Sequence, residues 1–286
     1  MPGARNAISG ARASAGLRPS PRRHAVSFAR RSAPFWAAAA PMFAPPFATP
    51  ATYLDALHGQ GFALLNAEAV RQLSGAGLDE FIALGGEWAD LPPDEYLRDG
   101  GRYRRRRHAS AVVTEQGVAL QPARAHWQPL DYNALHGGIE RWFAPMTESA
   151  LASSALSALL RWLAQVANAL HGAQAWFTEV HAFRIDTTGG IGRPTPEGAH
   201  RDGVDLVAVF LVERHAVKGG ETRVFALDGP SGQRFTLTEP WSVLLMDDAR
   251  VIHETTPVQP VGAAAPGHRD TLVITLRQGG FLAPRA

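Results

Sequence analysis

His200 and Asp202 stand two residues apart in the segment Pro196–Gly203, PEGAHRDG, and a second histidine, His253, follows within VIHET. In an extended segment residues i and i+2 point to one side, so His200 and Asp202 can reach a common interior point. Two histidines and one carboxylate can occupy one face of an octahedral iron(II), leaving three positions for substrates and oxygen. Zinc would more often take a closed or three-plus-water tetrahedral set. Further on, His268–Thr275 reads HRDTLVIT. There Arg269 and Thr271 share a strand face and offer a forked guanidinium and a hydroxyl to a carboxylate. Taken alone, His-x-Asp is also the pattern of an N-cap beside a surface histidine. Arg-x-Thr alone reads equally as a strand-end arginine paired with a surface acid.

These residues need strands to hold them. Short β-rich runs separated by Gly, Pro and Asp are predicted over Trp176–Ile185, Val204–Val212, Glu221–Leu227, Ser242–Met246, Arg250–Thr255 and Asp270–Arg277, the pattern of a sandwich or barrel. The run VDLVAVFLV is apolar on both faces apart from Asp205, as expected of a strand covered on both sides. Helices are predicted near Tyr53–Gln60, over Ala67–Leu73 and Leu78–Leu84, and as one long helix over Met146–Leu170, with Gly172 placed to stop it. The fold class expected is therefore α+β, a β-sandwich core with helices packed on one sheet.

Composition narrows the chemistry. The 286 residues contain no cysteine, which excludes disulfides, zinc-thiolate sites, iron–sulfur clusters and thiol nucleophiles, and fits a reducing, cytoplasmic setting. No apolar run is long enough to suggest a membrane-spanning helix. The net charge of +2 conceals an asymmetry: residues 1–41 hold seven arginines and no acid, which leaves 21 basic against 26 acidic residues in the rest, a net of −5. A mildly acidic body argues against general polyanion binding. Residues 1–50 show no periodicity and are expected to form a disordered extension, with one catalytic domain over 51–286. The extension has the look of an organelle transit peptide; the alternative is a translation start at Met42.

The order His-x-Asp, then His, then Arg-x-Thr resembles the 2-oxoglutarate- and iron(II)-dependent dioxygenase superfamily. The wider wording, DGGRYRRRRHAS (99–110), DYNALHGGIERWFAPM (131–146), PEGAHRDG, GGETRVF (219–225) and HRDTLVIT, is similar to a bacterial branch that includes hydroxylases of free amino acids such as isoleucine. The likeness runs from about Tyr53 to Arg277. It implies a double-stranded β-helix, or jelly roll, with His200, Asp202 and His253 as metal ligands and Arg269, assisted by Thr271, on the far carboxylate of 2-oxoglutarate. It further implies O2 as oxidant, succinate and carbon dioxide as coproducts, and hydroxylation of an unactivated C–H bond of a small molecule, expected to be a free amino acid.

The charged run Arg102–His108, RYRRRRH, puts Arg102, Arg104, Arg106 and His108 on one strand face and Tyr103, Arg105 and Arg107 on the other. Most of these arginines read as a solvated edge strand protected by charge. Arg105, His108 and Asn133 are singled out as substrate contacts, the last from a loop that also carries Tyr132, Gly137 and Gly138. His181 and Arg184 can reach the site if the strand parity allows. Two rivals remain at this point: a demethylase of nucleic-acid bases using the same chemistry, and a jelly roll that binds a ligand without catalysis.

Overall fold

In the strand that begins at Leu206, alternate side chains enter two different cores. Leu206, Ala208, Phe210 and Val212 pack under helices, while Val207 and Leu211 pack against a second sheet. This is the physical meaning of the unbroken apolar run VDLVAVFLV: both faces are covered. The computed structural model describes residues 43–133, 135–262 and 266–284. Among them the helices are α1 Tyr53–Gln60, α2 Ala67–Ser74, α3 Leu78–Gly85, α4 Glu148–Leu151 and α5 Ser154–His171. The strands are β1 Phe62–Leu65, β2 Arg104–Thr114, β3 Gly117–Leu120, β4 Trp176–Asp186, β5 Leu206–His215, β6 Val217–Gly219, β7 Thr222–Ala226, β8 Gly232–Phe235, β9 Val243–Asp247, β10 Val251–Thr255, β11 Val258–Pro260 and β12 His268–Arg277.

Seven strands form the large sheet in the order β1-β9-β5-β12-β4-β2-β3, with every pairing antiparallel. The facing layer consists of β10-β7-β8 and β11-β6, extended by single bridges from Gly192 to Val258 and from His200 to His253. This is a double-stranded β-helix, as expected. Its outer side is covered by helices: Leu156, Leu159, Leu160 and Leu163 of α5 join Ala111 and Val113 of β2 and Leu272, Ile274 and Leu276 of β12 in one core. The expected helix over Met146–Leu170 is interrupted. Thr147 caps α4 and Ser153 caps α5, each side-chain oxygen accepting the N–H three residues on, so a new helix starts at Ser154; the stop at Gly172 is where the pattern put it. No helix among the described residues is long and apolar enough to cross a membrane.

Between the two sheets the ends of the sandwich differ. At the β1-β9-β5 end, Phe62, Leu64, Val207, Leu211, Leu244 and Met246 meet Val224, Phe235 and Val251 and fill the space. Each such side chain, once buried, contributes about 1.5–3 kcal/mol, so this end is a stable anchor. At the β12-β4-β2 end many of the inward side chains are polar or charged, and a cavity remains. A 3-10 turn, Gly86–Asp90, clamps that end from outside: the Trp88 indole N–H donates to the carbonyls of Phe183 in β4 (3.0 Å) and Thr271 in β12 (3.3 Å).

Order begins earlier than the boundary at residue 50 expected from composition. Ala48 N–H donates to Leu64 O, Thr236 N–H donates to Phe43 O, and the Arg234 guanidinium lies 3.8 Å from the centre of the Phe43 ring. The rest of the expected extension, residues 1–42, lies outside the described residues.

Candidate active site

His200 and Asp202 sit on the loop that precedes β5, not on the strand itself, so their shared direction has a different origin from strand alternation. His200 is tied to β10 by reciprocal backbone hydrogen bonds with His253, 3.0 and 2.9 Å, which sets the two imidazoles side by side with centroids 4.6 Å apart. Asp202 is aimed by Asp248. That buried carboxylate accepts the N–H groups of Asp202 (3.0 Å), Gly203 (2.8 Å) and Val204 (3.1 Å), locking the turn. Gly203 has φ +78, and a Cβ there would lie 2.4 Å from the Tyr132 ring, so the turn needs glycine. Burial, and then the charge of Asp202, push the Asp248 carboxyl up to about 6 against the pull of the three N–H donors.

The donor atoms of His200, Asp202 and His253 all lie within 4.8 Å of one another. His200 Nδ1 is 3.0 Å from the Gly198 carbonyl, which fixes its proton there and leaves Nε2 free to face Asp202, 3.8 Å away. His253 Nε2 faces the other carboxylate oxygen at 4.0 Å. Burial, and then His200, hold the His253 imidazole down to about 4, so it is neutral and able to ligate. At His200 burial opposes protonation, but the carboxylates of Asp202 and Glu197 outweigh it and raise the pKa. Two neutral rings and a carboxylate on one side of a cavity suit an octahedral iron(II) with open positions.

Arg269 and Thr271 both line the same cavity from β12. Arg269 is 4% exposed, and its Nε finds no hydrogen-bond partner among the described residues. Burial, and then the neighbouring Arg214, hold it down to about 9. A buried guanidinium with an open N–H beside a hydroxyl fits a carboxylate ligand such as the distal end of 2-oxoglutarate. Gly220 runs close to the neighbouring Arg214: a Cβ there would lie 2.8 Å from Arg214 Nη1, and at ordinary contact, 3.5 Å, from Arg269 Cδ.

The opposite wall of the cavity departs from the sequence expectation. Of the residues expected to touch substrate, Asn133 lines the cavity. Arg105 does not. It lies on the outward face of β2 with its side chain 44% exposed and pairs with Asp186 at 3.5 Å, because inward residues in this strand are even-numbered. His108 is inward and buried but stands behind the lining, 3.5 Å from Glu179. The solvated-edge reading of the run also fails for Arg104 and Arg106, which are 6% and 3% exposed and line the cavity. The reason is topological: β4 pairs with all of β2, and single bridges from Pro93 and Pro145 cover its other edge. Buried in the cavity wall, Arg104 and Arg106 are not available to grip phosphates on a surface, the role the demethylase alternative would give them. His181 does reach the cavity, whereas Arg184 faces away and forms a forked pair with Asp270 at 2.8 and 2.6 Å.

Sequence reasoning missed His126, Gln128, Arg141, Glu179 and Glu197, all of which line the cavity. Alternation with His181 would have marked Glu179. Nothing local marks the others, which come from loops brought in by the fold. Gln128 is central: its carbonyl accepts from Arg141 (2.9 Å) and Asn133 (3.1 Å), which turns its amide N–H toward Asp202 Oδ1 at 3.3 Å. The cavity holds about 130 Å³, room for roughly four waters at their share of liquid volume.

Comparison with known proteins agrees with this geometry. Residues 86–275 match the 2OG-Fe dioxygenase family, a span that includes all of these cavity residues except Leu282. A bsmA homolog from Methylobium petroleophilum is 51% identical, with 84% of this chain and 97% of that one covered and a TM-score of 0.79. IDO from Bacillus thuringiensis (17% identity, 80% of this chain and 98% of that one, TM-score 0.65) shares the fold. So does the Fe(II)/(alpha)ketoglutarate-dependent dioxygenase TqaL (18%, 80% and 86%, 0.61). No curated protein matches the sequence. The chain belongs to the 2OG-Fe dioxygenase family and is an enzyme that uses iron(II), 2-oxoglutarate and O2.

Proposed function

We propose that this enzyme hydroxylates an unactivated C–H bond of a free amino acid, with His200, Asp202 and His253 as the iron ligands and Arg269 and Thr271 as the anchor of 2-oxoglutarate. The observation that carries this reading is the meeting, in one small cavity, of three donors within 4.8 Å of one another and a buried guanidinium with an open N–H. When bound, iron(II), 2-oxoglutarate and O2 supply the oxidising chemistry, with succinate and carbon dioxide as coproducts. The residues of this chain position and shield. His200, Asp202 and His253 hold one face of the metal, Asp248 keeps the ligand turn rigid, and Arg269 fixes the cosubstrate's orientation through a two-pronged ion pair. Val209, Val273 and Phe183 form apolar walls that limit water at the reacting centre. An amino acid as substrate is supported by the motif likeness and by the size of the cavity.

Purified protein incubated with iron(II), 2-oxoglutarate, ascorbate and a pool of free amino acids tests this reading. The expected product is an amino acid heavier by one oxygen, formed together with succinate. Iron-dependent succinate release with no amino acid modified would remove the substrate assignment; no succinate under any condition would remove the residue assignments.

A further inference from the structure

Arg269 accounts for one carboxylate, yet the opposite wall carries three more buried guanidiniums, Arg104, Arg106 and Arg141. We infer that Arg104, Arg106 and Arg141 bind the substrate's α-carboxylate while Glu197 receives its ammonium group, so that the cavity selects a zwitterion. The inference rests on the reading above, in which Arg269 is taken by the cosubstrate.

Charge is the first argument. Asp94 is shared by Arg104, whose Nε donates at 2.7 Å, and Arg106, at 3.8 Å. Among the described residues Arg141 has only neutral Gln128 as a side-chain hydrogen-bond partner. The other nearby acid, Glu179, is engaged by Arg124 at 3.0 Å and His126 at 2.7 Å. Arg104 Nη2, Arg106 Nε and Arg141 Nε are all buried without a hydrogen-bond partner among the described residues. A buried donor left unpaired is costly, the more so when charged, and a bound carboxylate would relieve several at once. Among the acids that line the cavity, Glu197 has an open oxygen: its Oε2 is buried with no hydrogen-bond partner among the described residues, its side chain is 10% exposed, and its other oxygen lies 3.5 Å from His200 Nε2.

Rigidity and distance are the second argument. The Arg106 guanidinium is held between the rings of Phe143 and Phe183, 3.5 and 4.3 Å from their centres, and donates to His181 Nδ1 at 2.7 Å. His181 in turn stacks on His108, with centroids 4.7 Å apart at 19°. Although His108, His126, Glu179 and His181 place four donor atoms within 4.8 Å of one another, three adjacent guanidiniums repel a cation there. That grouping buttresses Arg106 instead. Gln128 joins Arg141 to Asp202 through one carboxamide, so Arg141 lies two hydrogen bonds, 2.9 and 3.3 Å, from a proposed iron ligand.

Calorimetric titration of the oxygen-free protein loaded with iron(II) and 2-oxoglutarate tests this. The probes are the common L-amino acids, each beside its carboxamide and its N-acetyl derivative. The expected result is at least one acid whose carboxamide and N-acetyl forms bind tenfold or more weakly. Arg141→Gln should then weaken that acid at least tenfold and narrow its preference over the carboxamide, and Glu197→Gln should narrow the preference over the N-acetyl form. Binding of 2-oxoglutarate is recorded first in the same samples. Its absence in the unsubstituted protein would overturn the reading of the metal end. Its presence with no acid bound, with acid and carboxamide bound alike, or with the preference unmoved by Arg141→Gln, would overturn this inference alone. The acid–carboxamide comparison needs no variant, so a folding failure of Arg141→Gln leaves the inference open to refutation.

Discussion

The two walls of the cavity are built on opposite principles. The wall of His200, Asp202, His253 and Arg269 uses few residues, with the first three aligned by one backbone bridge and one buried carboxylate. The wall of Arg104, Arg106 and Arg141 packs three cations against Asp94 and a column of stacked imidazoles. Burial holds His181 and His126 below the ordinary histidine range, with Arg106 adding to the effect on His181. Burial works to raise the Glu179 carboxyl, but His126 and His108 hold it well below the usual carboxylate range, so it stays ionised. The metal wall is a matter of direction, and the arginine wall is a matter of charge. A ligand set of the first kind shows itself by spacing, whereas the second kind shows itself only when burial is known.

The comparison breaks most sharply at the metal wall. His200→Ala, Asp202→Ala and His253→Ala should each abolish iron retention and reduce turnover more than 100-fold, beyond the roughly 10–100-fold loss from removing an outer-shell partner of a metal. Iron titration with far-ultraviolet circular dichroism as a folding check measures it, and full activity in any of the three at limiting iron would remove that residue from the ligand set. Next in size is Arg269→Ala, expected to weaken 2-oxoglutarate by roughly 10- to 200-fold, as loss of charge-assisted hydrogen bonds does. Iron affinity should barely move, and parallel titrations of both ligands would expose a mistaken assignment if they fell together.

On the other wall the expected effect is on stability. Burial works to raise the Asp94 carboxyl, but Arg104 and Arg106 outweigh it and hold its pKa below 3.8. A carboxylate with a depressed folded-state pKa contributes stability that is fully present above its unfolded value and is lost as pH falls through the folded value. Asp94→Asn should therefore cost about 3 kcal/mol at neutral pH, with the deficit constant down to about pH 4 and narrowing below it. Urea unfolding of both proteins across that range tests it; a deficit independent of pH would mean that Asp94 acts through packing alone. The smallest effect belongs to Arg105→Ala, whose partly exposed pair with Asp186 is of the kind worth about 0–1 kcal/mol. Substrate and 2-oxoglutarate affinity should be unchanged; a change in either would mean that the strand presents its other face to the cavity.

Residue types and periods sufficed for the elements that carry the site. The starts of α1, α2 and α3 and the cores of β4, β5, β7, β9, β10 and β12 follow from apolar period and turn residues, and the side shared by Arg269 and Thr271 follows from strand alternation. His200, Asp202 and His253 were legible by type, although strand geometry is not what aligns the first two. The remainder required the tertiary structure, because it depends on which chain segments are neighbours. The run RYRRRRH is the same sequence whether β2 lies at a solvated edge or under β4, the Pro93 and Pro145 bridges and the helices; only the pairing decides that Arg104 and Arg106 are buried while Arg105 is not. Gln128 and Arg141 reach the cavity, and Asp248 reaches the turn behind Asp202, from segments distant in sequence, and no local pattern encodes such a meeting. Alternation and composition are short-range properties written along the chain. Burial of charge is a long-range one, set by what covers a strand.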